Sequence, residues 1–360
     1  MFLYSIFLSI RSGKSIVFFV EIPCLVLHKY NKKMYNYLYF GQRGYNMKKL
    51  STAVLGILAV AFLGGCEKSA NKNFILATGG TSGTYYPFGG AIANIWNTNV
   101  DGMNVTAQAT GASAENLRLI SKGEAEFAIV QNDVMDYAYN GSDMFETPLG
   151  NLATIGTLYP EVVHIAASKN SGITSVRDLK GKRVSVGDAG SGVEFNAKQI
   201  LEGYGLSFSD IQKANLSFKE SAEAIQNGTL DACFVTNGVP NSALQELAFT
   251  AGLSLIAVDG EEADKICAEH GFYTKTVIPA GTYSGSDVDT PALAVKATLA
   301  VSAKLDEQTV YDMTKALFEH LDSLGTAHAK GKEVSAEMAV TGVSVPFHPG
   351  AKKYFSEKGL

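Results

Sequence analysis

Little in this 360-residue sequence would support a disulfide framework, a metal centre or a nucleic-acid interface. There are four cysteines and one tryptophan. Cys24 and Cys66 fall in the N-terminal region. Cys233 lies in an apolar strand-like stretch and Cys267 in a helix-like one, so the remaining pair reads as buried free thiols or at most one bridge. His164, His270, His320, His328 and His348 show no metal-ligand spacing, and no metal or other cofactor is expected. Arginine is scarce: beyond residue 65 there are only Arg118, Arg177 and Arg183. Without residues 1–65 the chain loses 8 of its 30 basic side chains and 1 of its 35 acidic ones, which leaves a formal net charge of −12. Nucleic-acid binding depends on many basic phosphate contacts, so this charge argues against it. It also means that an anionic ligand would have to be caught by local donors against the field of the whole protein. Neither Gly-x-Ser-x-Gly nor His-Glu-x-x-His occurs, which leaves a secreted hydrolase using Ser82 or Ser191 as the weaker alternative.

Long apolar runs are confined to the N-terminus. Met47-Lys-Lys opens a basic start, Leu50 to Leu63 is apolar apart from Ser51, Thr52 and Gly56, and Leu63-Gly-Gly-Cys66 follows. That is the pattern of a bacterial lipobox, and the apolar run is too short for a good membrane span. Residues 47–65 are therefore expected to be a lipoprotein signal, Cys66 the lipidated first residue and 66–73 a polar tether. Residues 1–46 precede a complete signal and read as an over-extended start.

The chain as a whole has a mean hydropathy of +0.07 and 18% charged residues, typical of a globular protein with real cores. Its main feature is a repeated unit in which an apolar strand enters a glycine-rich turn and then a helix. The first copy runs Phe74 to Asn94 through Gly79-Gly-Thr-Ser-Gly-Thr-Tyr-Tyr86, and the second Arg183 to Leu201 through Gly190-Ser-Gly-Val193. A helix N-terminus carries unpaired N–H groups and partial positive charge, so a hydroxyl-bearing turn there suits a carboxylate. No Gly-Lys-Ser/Thr follows, which excludes a nucleotide P-loop. The echo continues, since Gly123 to Val134 aligns with Gly228 to Val239, each an apolar strand with a central Asn in the tripeptide that ends it (Gln131-Asn132-Asp133 and Thr236-Asn237-Gly238).

The β-α-β rhythm predicts α/β lobes with parallel sheets. Strands are expected at Phe74–Thr78, Val105–Ala109 and Phe127–Val130, with helices near Pro87–Trp96, Ser113–Ser121 and Val134–Tyr139. The run Leu152–Ala167 is a candidate hinge crossing. A second run, Thr290–Ala303, followed by a helix over Asp306–Leu324, would return the chain. The expected division is lobe 1 over 74–164 and 293–360, and lobe 2 over 165–292.

These residues resemble the TAXI branch of solute receptors serving tripartite TRAP-type transporters. The likeness rests on Gly79 to Gly90, Gln131-Asn-Asp133, Asp178-Leu-Lys-Gly-Lys-Arg-Val-Ser-Val-Gly187, Gly190 to Ala197 and Pro346-Phe-His-Pro-Gly-Ala351. It implies a type II periplasmic-binding fold and a non-enzymatic receptor. Such a receptor would hand a small organic acid or amino acid, often glutamate-like, to a membrane permease. A monomer anchored outside the cytoplasm through lipid on Cys66 is the corresponding picture. Related receptors often have Thr where Val193 stands, so one hydroxyl donor is missing here. A free-standing ligand-sensing lipoprotein is a further alternative.

The candidate ligand contacts are Gly80, Thr81, Ser82, Gly83, Thr84, Tyr85 and Tyr86 in the first loop, and Gly190, Ser191, Gly192, Val193 and Glu194 in the second. Gln131, Asn132, Asp133, Thr236, Asn237 and Gly238 are added from the strand ends. Each has a plainer explanation. Glycines can simply permit a tight turn, Asn and Asp can cap the next helix, and tyrosines can be core. Asp133 is expected to meet a ligand ammonium group if the ligand is an amino acid.

Overall fold

The computed structural model describes residues 72–360 except Met144; the expected signal, lipidation site and residues 1–46 lie outside the described residues. A 10-stranded mixed sheet runs through the whole of this region in the order β2-β1-β3-β10-β4-β7-β5-β6, with β8 beside β4 and β9 beside β10. In chain order the first half supplies β1 (Lys72–Ala77), α1 (Tyr85–Asn99), β2 (Met103–Gln108), α2 (Ser113–Lys122), β3 (Phe127–Gln131) and α3 (Asn132–Asn140). The long β4 (Leu152–Ser168) leads to β5 (Arg183–Ser185), α4 (Gly192–Gly203), β6 (Gln212–Ala214), α5 (Phe218–Gln226), β7 (Ala232–Asn237) and α6 (Ser242–Thr250). After β8 (Leu253–Leu255), α7 (Gly260–Glu269) and β9 (Thr274–Ile278), the long β10 (Thr290–Ser302) runs into α8 (Glu307–Phe318), α9 (Leu321–Ala327), α10 (Ala336–Ala339) and α11 (Pro349–Glu357).

The sequence repeat is visible in the strand order. β1 lies between β2 and β3, and β5 between β6 and β7, all parallel, so each copy of the repeat builds the same three-stranded unit. β4 and β10 join the two units. The start of β4 pairs antiparallel with the end of β10, and its second half pairs with β7. β10 meets β9 at its beginning and β3 at its end. The C-terminal Pro346 to His348 segment covers the free side of β4: Thr154 N–H donates to Pro346 O at 2.9 Å, and His348 N–H to Thr154 O at 2.9 Å.

Both sheet faces of each unit are covered, which explains why most strands read as continuous apolar runs rather than alternating ones. In the first lobe one face buries Leu76, Phe88, Ile92, Trp96, Phe127, Met313 and Leu317, and the other Leu117, Ile120, Val130 and Val134. In the second lobe Val184, Ile200, Phe234 and Ile266 form one core, and Ile225, Val235, Leu244 and Leu247 the other.

Two local expectations change, and the reading of the two cysteines as free thiols holds. β1 starts at Lys72, so Lys72 and Asn73, expected in the tether, are strand residues paired with Met103 and Asn104. The helix expected over Asp306–Leu324 is two helices, because the backbone leaves helical geometry at His320 (φ −126°, ψ 33°), and the bend lets both Leu317 and Leu324 enter the same core. Cys233 is buried and Cys267 partly buried, and both are free.

Candidate functional site

The two glycine-rich turns face each other across a cavity between the lobes. Its lining is drawn from both turns and from the strand ends between them, an enclosure on the scale of a small ligand. Four helix starts converge on it: Gly83 and Tyr85 at α1, Ala112 and Ser113 at α2, Ser191 to Val193 at α4, and Ser217 and Phe218 at α5. The first turn of a helix leaves its N–H donors without intrahelical partners. Their convergence supplies positive potential and hydrogen-bond donors without any charged base in the lining. The α2 start is also strained, since Ala112 has φ 70° and ψ −142°, a region that residues with a Cβ rarely occupy.

The lobes are closed around this cavity. Thr84 Oγ1 donates to Asn237 Oδ1 at 2.7 Å, and Ala114 N–H to Gly190 O at 3.1 Å. Ser242 Oγ donates to Ser82 O at 3.2 Å. A second seam of polar side chains lies behind the cavity, where α3 meets α4. Asn196 Nδ2 donates to Asp133 Oδ2 at 3.0 Å and to Tyr273 Oη at 2.8 Å, while Asn196 Oδ1 accepts from Thr236 Oγ1 at 2.9 Å. Tyr273 Oη donates to Gln199 Oε1 at 2.7 Å, and Lys198 pairs with Asp143 at 2.7 Å. Phe195 of α4 stacks on Tyr137 of α3.

Of the residues singled out from the sequence, Gly80, Ser82, Gly83, Tyr85, Gln131, Ser191, Gly192, Val193, Thr236 and Asn237 line the cavity. Thr84 is an interlobe contact rather than a lining residue. Thr81 and Tyr86 are exposed. Asn132 is spent on structure, its Oδ1 accepting Lys296 N–H at 3.0 Å and its Nδ2 donating to Gly342 O. Asp133 sits in the α3–α4 seam, because helical periodicity carries it to the side of α3 that meets α4. Gly190 O holds α2. Glu194 stiffens the second loop by accepting Gly190 N–H at 2.7 Å and pairing with Lys213 at 2.5 Å. Gly238 packs where a Cβ would crowd Lys330 and Thr84.

Sequence reasoning missed Ala112, Ser113, Glu161, Asp188, Ser217 and Phe218, which line the cavity together with Gly79 of the first loop. Glu161 stands out among them. It is 1% exposed on β4, and its Oε2 accepts the Tyr85 hydroxyl at 2.6 Å. Burial pushes its carboxyl up to about 8 and that of Asp133 up to about 7, each against partly opposing hydrogen bonds. Burial lowers His164, on β4 opposite Val235 of β7, to about 4. Gln131 also lines the cavity, 3% exposed, and its Oε1 has no hydrogen-bond partner.

These shifts set a pH dependence. The two carboxyls hold protons in the folded state that the unfolded chain has released, so their stabilisation is complete below the unfolded carboxylate range and is lost as pH rises through about 7 and 8. His164 has the opposite sign: its depressed value makes stability rise with pH, but only up to the unfolded histidine value near ~6.5. The melting temperature of the ligand-free protein is therefore expected to fall between about pH 6.5 and pH 9, by roughly 2 kcal/mol or about 4–8 °C. Calorimetry should show the fall flattened in Asp133→Asn and in Glu161→Gln; a flat or rising Tm in the parent protein would contradict it.

No helix among the described residues is long and apolar enough to cross a membrane. Among solved structures, a protein from Bordetella bronchiseptica RB50 aligns with a TM-score of 0.51 at 14% identity, covering 80% of this chain and 98% of its own. PhnD1 from Prochlorococcus marinus (MIT 9301), in complex with methylphosphonate, gives 0.49 at 13% identity over 79% and 96% of the two chains. The periplasmic aliphatic sulphonate binding protein SsuA from Escherichia coli gives 0.44 at 15% identity over 79% and 83%. At these identities the likeness concerns the fold alone, a mixed α/β architecture with helices on both faces of the sheet. Residues 76–359 match the NMT1-like family, and with most of its length inside that match the chain belongs to the NMT1-like family.

Proposed function

We propose that this protein is an extracytoplasmic solute-binding receptor that captures a small carboxylate or amino acid between its lobes and presents it to a membrane permease. The observation that carries the reading is the convergence of four helix N-termini, with no lysine or arginine in the lining, on one cavity between two closed lobes. The finer elements come from the sequence. The lipobox at Leu63 to Cys66 supports a lipid-anchored form, and the motif resemblance supports a TRAP-type permease of the TAXI branch and a glutamate-like ligand. The hydrolase alternative gains nothing from its best serine, because Ser191 Oγ is engaged as the cap of α4, accepting Glu194 N–H.

A thermal-shift screen of glutamate, glutamine, 2-oxoglutarate and C4-dicarboxylates tests the reading. At a hundredfold excess over Kd, a ligand stabilises the folded form by roughly 2.7 kcal/mol, which amounts to several degrees in a chain of this size. Native mass spectrometry of the purified protein should show a retained small acid or amino acid. A protein that carries no small molecule and is shifted by none of these compounds is not a receptor of this class.

A further inference from the structure

The cavity has two chemically different sides. Helix starts provide donors on one, while the most buried charged side chain of the lining is an acid, Glu161, and the lining also holds the unpartnered Gln131 Oε1. Asp188, also in the lining, adds a second carboxyl whose proton affinity is held up by burial and then by the fields of Glu220 and Glu115. The lining itself contains no cation to balance these acids. Lys330 acts on Glu161 from outside the lining, and its ammonium is held by Glu333 at 2.7 Å.

A ligand that is only an anion would leave these two acids without a cationic partner. One that carries a donor cation next to its carboxylate would satisfy both sides at once. We propose that Glu161 is the specificity-determining residue of the cavity and selects ligands bearing an ammonium group beside the carboxylate, α-amino acids over the matching plain acids. This rests on the receptor reading above and moves to Glu161 the ammonium contact that the sequence suggested for Asp133. Tyr85 positions the carboxyl through its hydroxyl.

The groups acting on Glu161 are Tyr85 from α1, Tyr159 from its own strand, Asp133 from α3 and Lys330 from the turn before α10. In the empty cavity burial keeps this carboxyl protonated up to about pH 8, so an arriving ammonium group would displace a proton. Amino-acid affinity is then expected to rise by up to about tenfold per pH unit until pH 8 and to level off above it.

The test is titration calorimetry with paired probes, L-glutamate against glutarate and L-alanine against propionate, in two buffers of different ionisation enthalpy. The amino member of the binding pair is expected to be tighter by at least ~30-fold, with proton release. Glu161→Gln, whose amide oxygen can still accept the Tyr85 hydroxyl, should collapse the ratio to about threefold or less by weakening the amino-acid arm. Tyr85→Phe serves if that variant folds poorly: without the hydroxyl that positions the carboxyl, the ratio should fall several-fold while proton release persists, and an unchanged ratio would count against Glu161. Equal affinity for both members, or a ratio that survives Glu161→Gln, overturns the assignment of Glu161 while leaving a carboxylate receptor. Failure of every probe, together with an empty native mass spectrum, overturns the receptor reading and this assignment with it.

Discussion

Gly192→Val is expected to weaken ligand binding by more than about 100-fold while leaving the protein folded, so that ligand-induced thermal stabilisation, roughly 2.7 kcal/mol at a hundredfold excess, disappears. Gly192 is the first residue of α4, and a Cβ built on it overlaps the side-chain amide of Gln131. That amide is the far end of a flexible side chain, so it can swing aside instead of forcing the backbone apart. Its way out leads into the cavity it already lines. The cost therefore falls on the pocket, which loses volume and the approach to the N–H groups of Gly192 and Val193. Arg183→Ala is the matched control. Arg183 is paired with Asp231 at 2.6 Å and donates to Gly228 O, outside the cavity, so its loss should leave binding unchanged and stability little altered. Normal binding by the valine variant, or loss of binding in the arginine variant, would show that the ligand is held elsewhere.

The parts of this site that were legible in the sequence are those written in local backbone chemistry. Gly79 to Tyr86 and Gly190 to Val193 announce helix starts because glycine, serine and threonine at the end of an apolar strand have few other uses. Their pairing predicted a cavity between two similar units. The second pair of helix starts, Ala112-Ser113 and Ser217-Phe218, carried a weaker signal. Ser217 with Glu220 forms a capping box, and following the repeat one helix further in both copies would have found the two together.

Glu161 was hidden for a different reason. It follows Tyr159-Pro160 in the middle of β4, where the sequence shows a polar interruption in a buried run, and nothing local says which side of the strand opens onto a cavity. Asp133 misled in the other direction. The strand-end tripeptide aligned it with ligand-contact positions, but it belongs to the first turn of α3, whose orientation is set by packing of Tyr137 and Phe195 across the lobes. Such placement depends on tertiary contacts between elements far apart in the chain.

Trp96→Ala is expected to cost roughly 3–5 kcal/mol in denaturant unfolding, the range for deleting a buried large aromatic side chain. Trp96 is fully buried near the end of α1, packs on Phe127 with ring centroids 4.9 Å apart, and donates its Nε1 hydrogen to Met313 O at 2.8 Å. Removing it leaves a void between α1, β3 and α8 and takes away the additional hydrogen bond that ties α1 to the Met313 carbonyl of α8. The other end of α1 carries Gly83 and Tyr85 into the cavity, so the substitution also loosens one of the four helix starts from the core that fixes it. Trp96→Phe retains most of the volume and loses only the indole donor, and should cost about half as much. Because this is the only tryptophan in the chain, circular dichroism rather than fluorescence must follow the transition. If α1 is anchored as described, a saturating ligand should recover part of the lost stability in Trp96→Ala, and none in Gly192→Val. A loss below about 1 kcal/mol in Trp96→Ala would mean that the α1 core tolerates the void, and that the first glycine loop is positioned by its interlobe contacts alone.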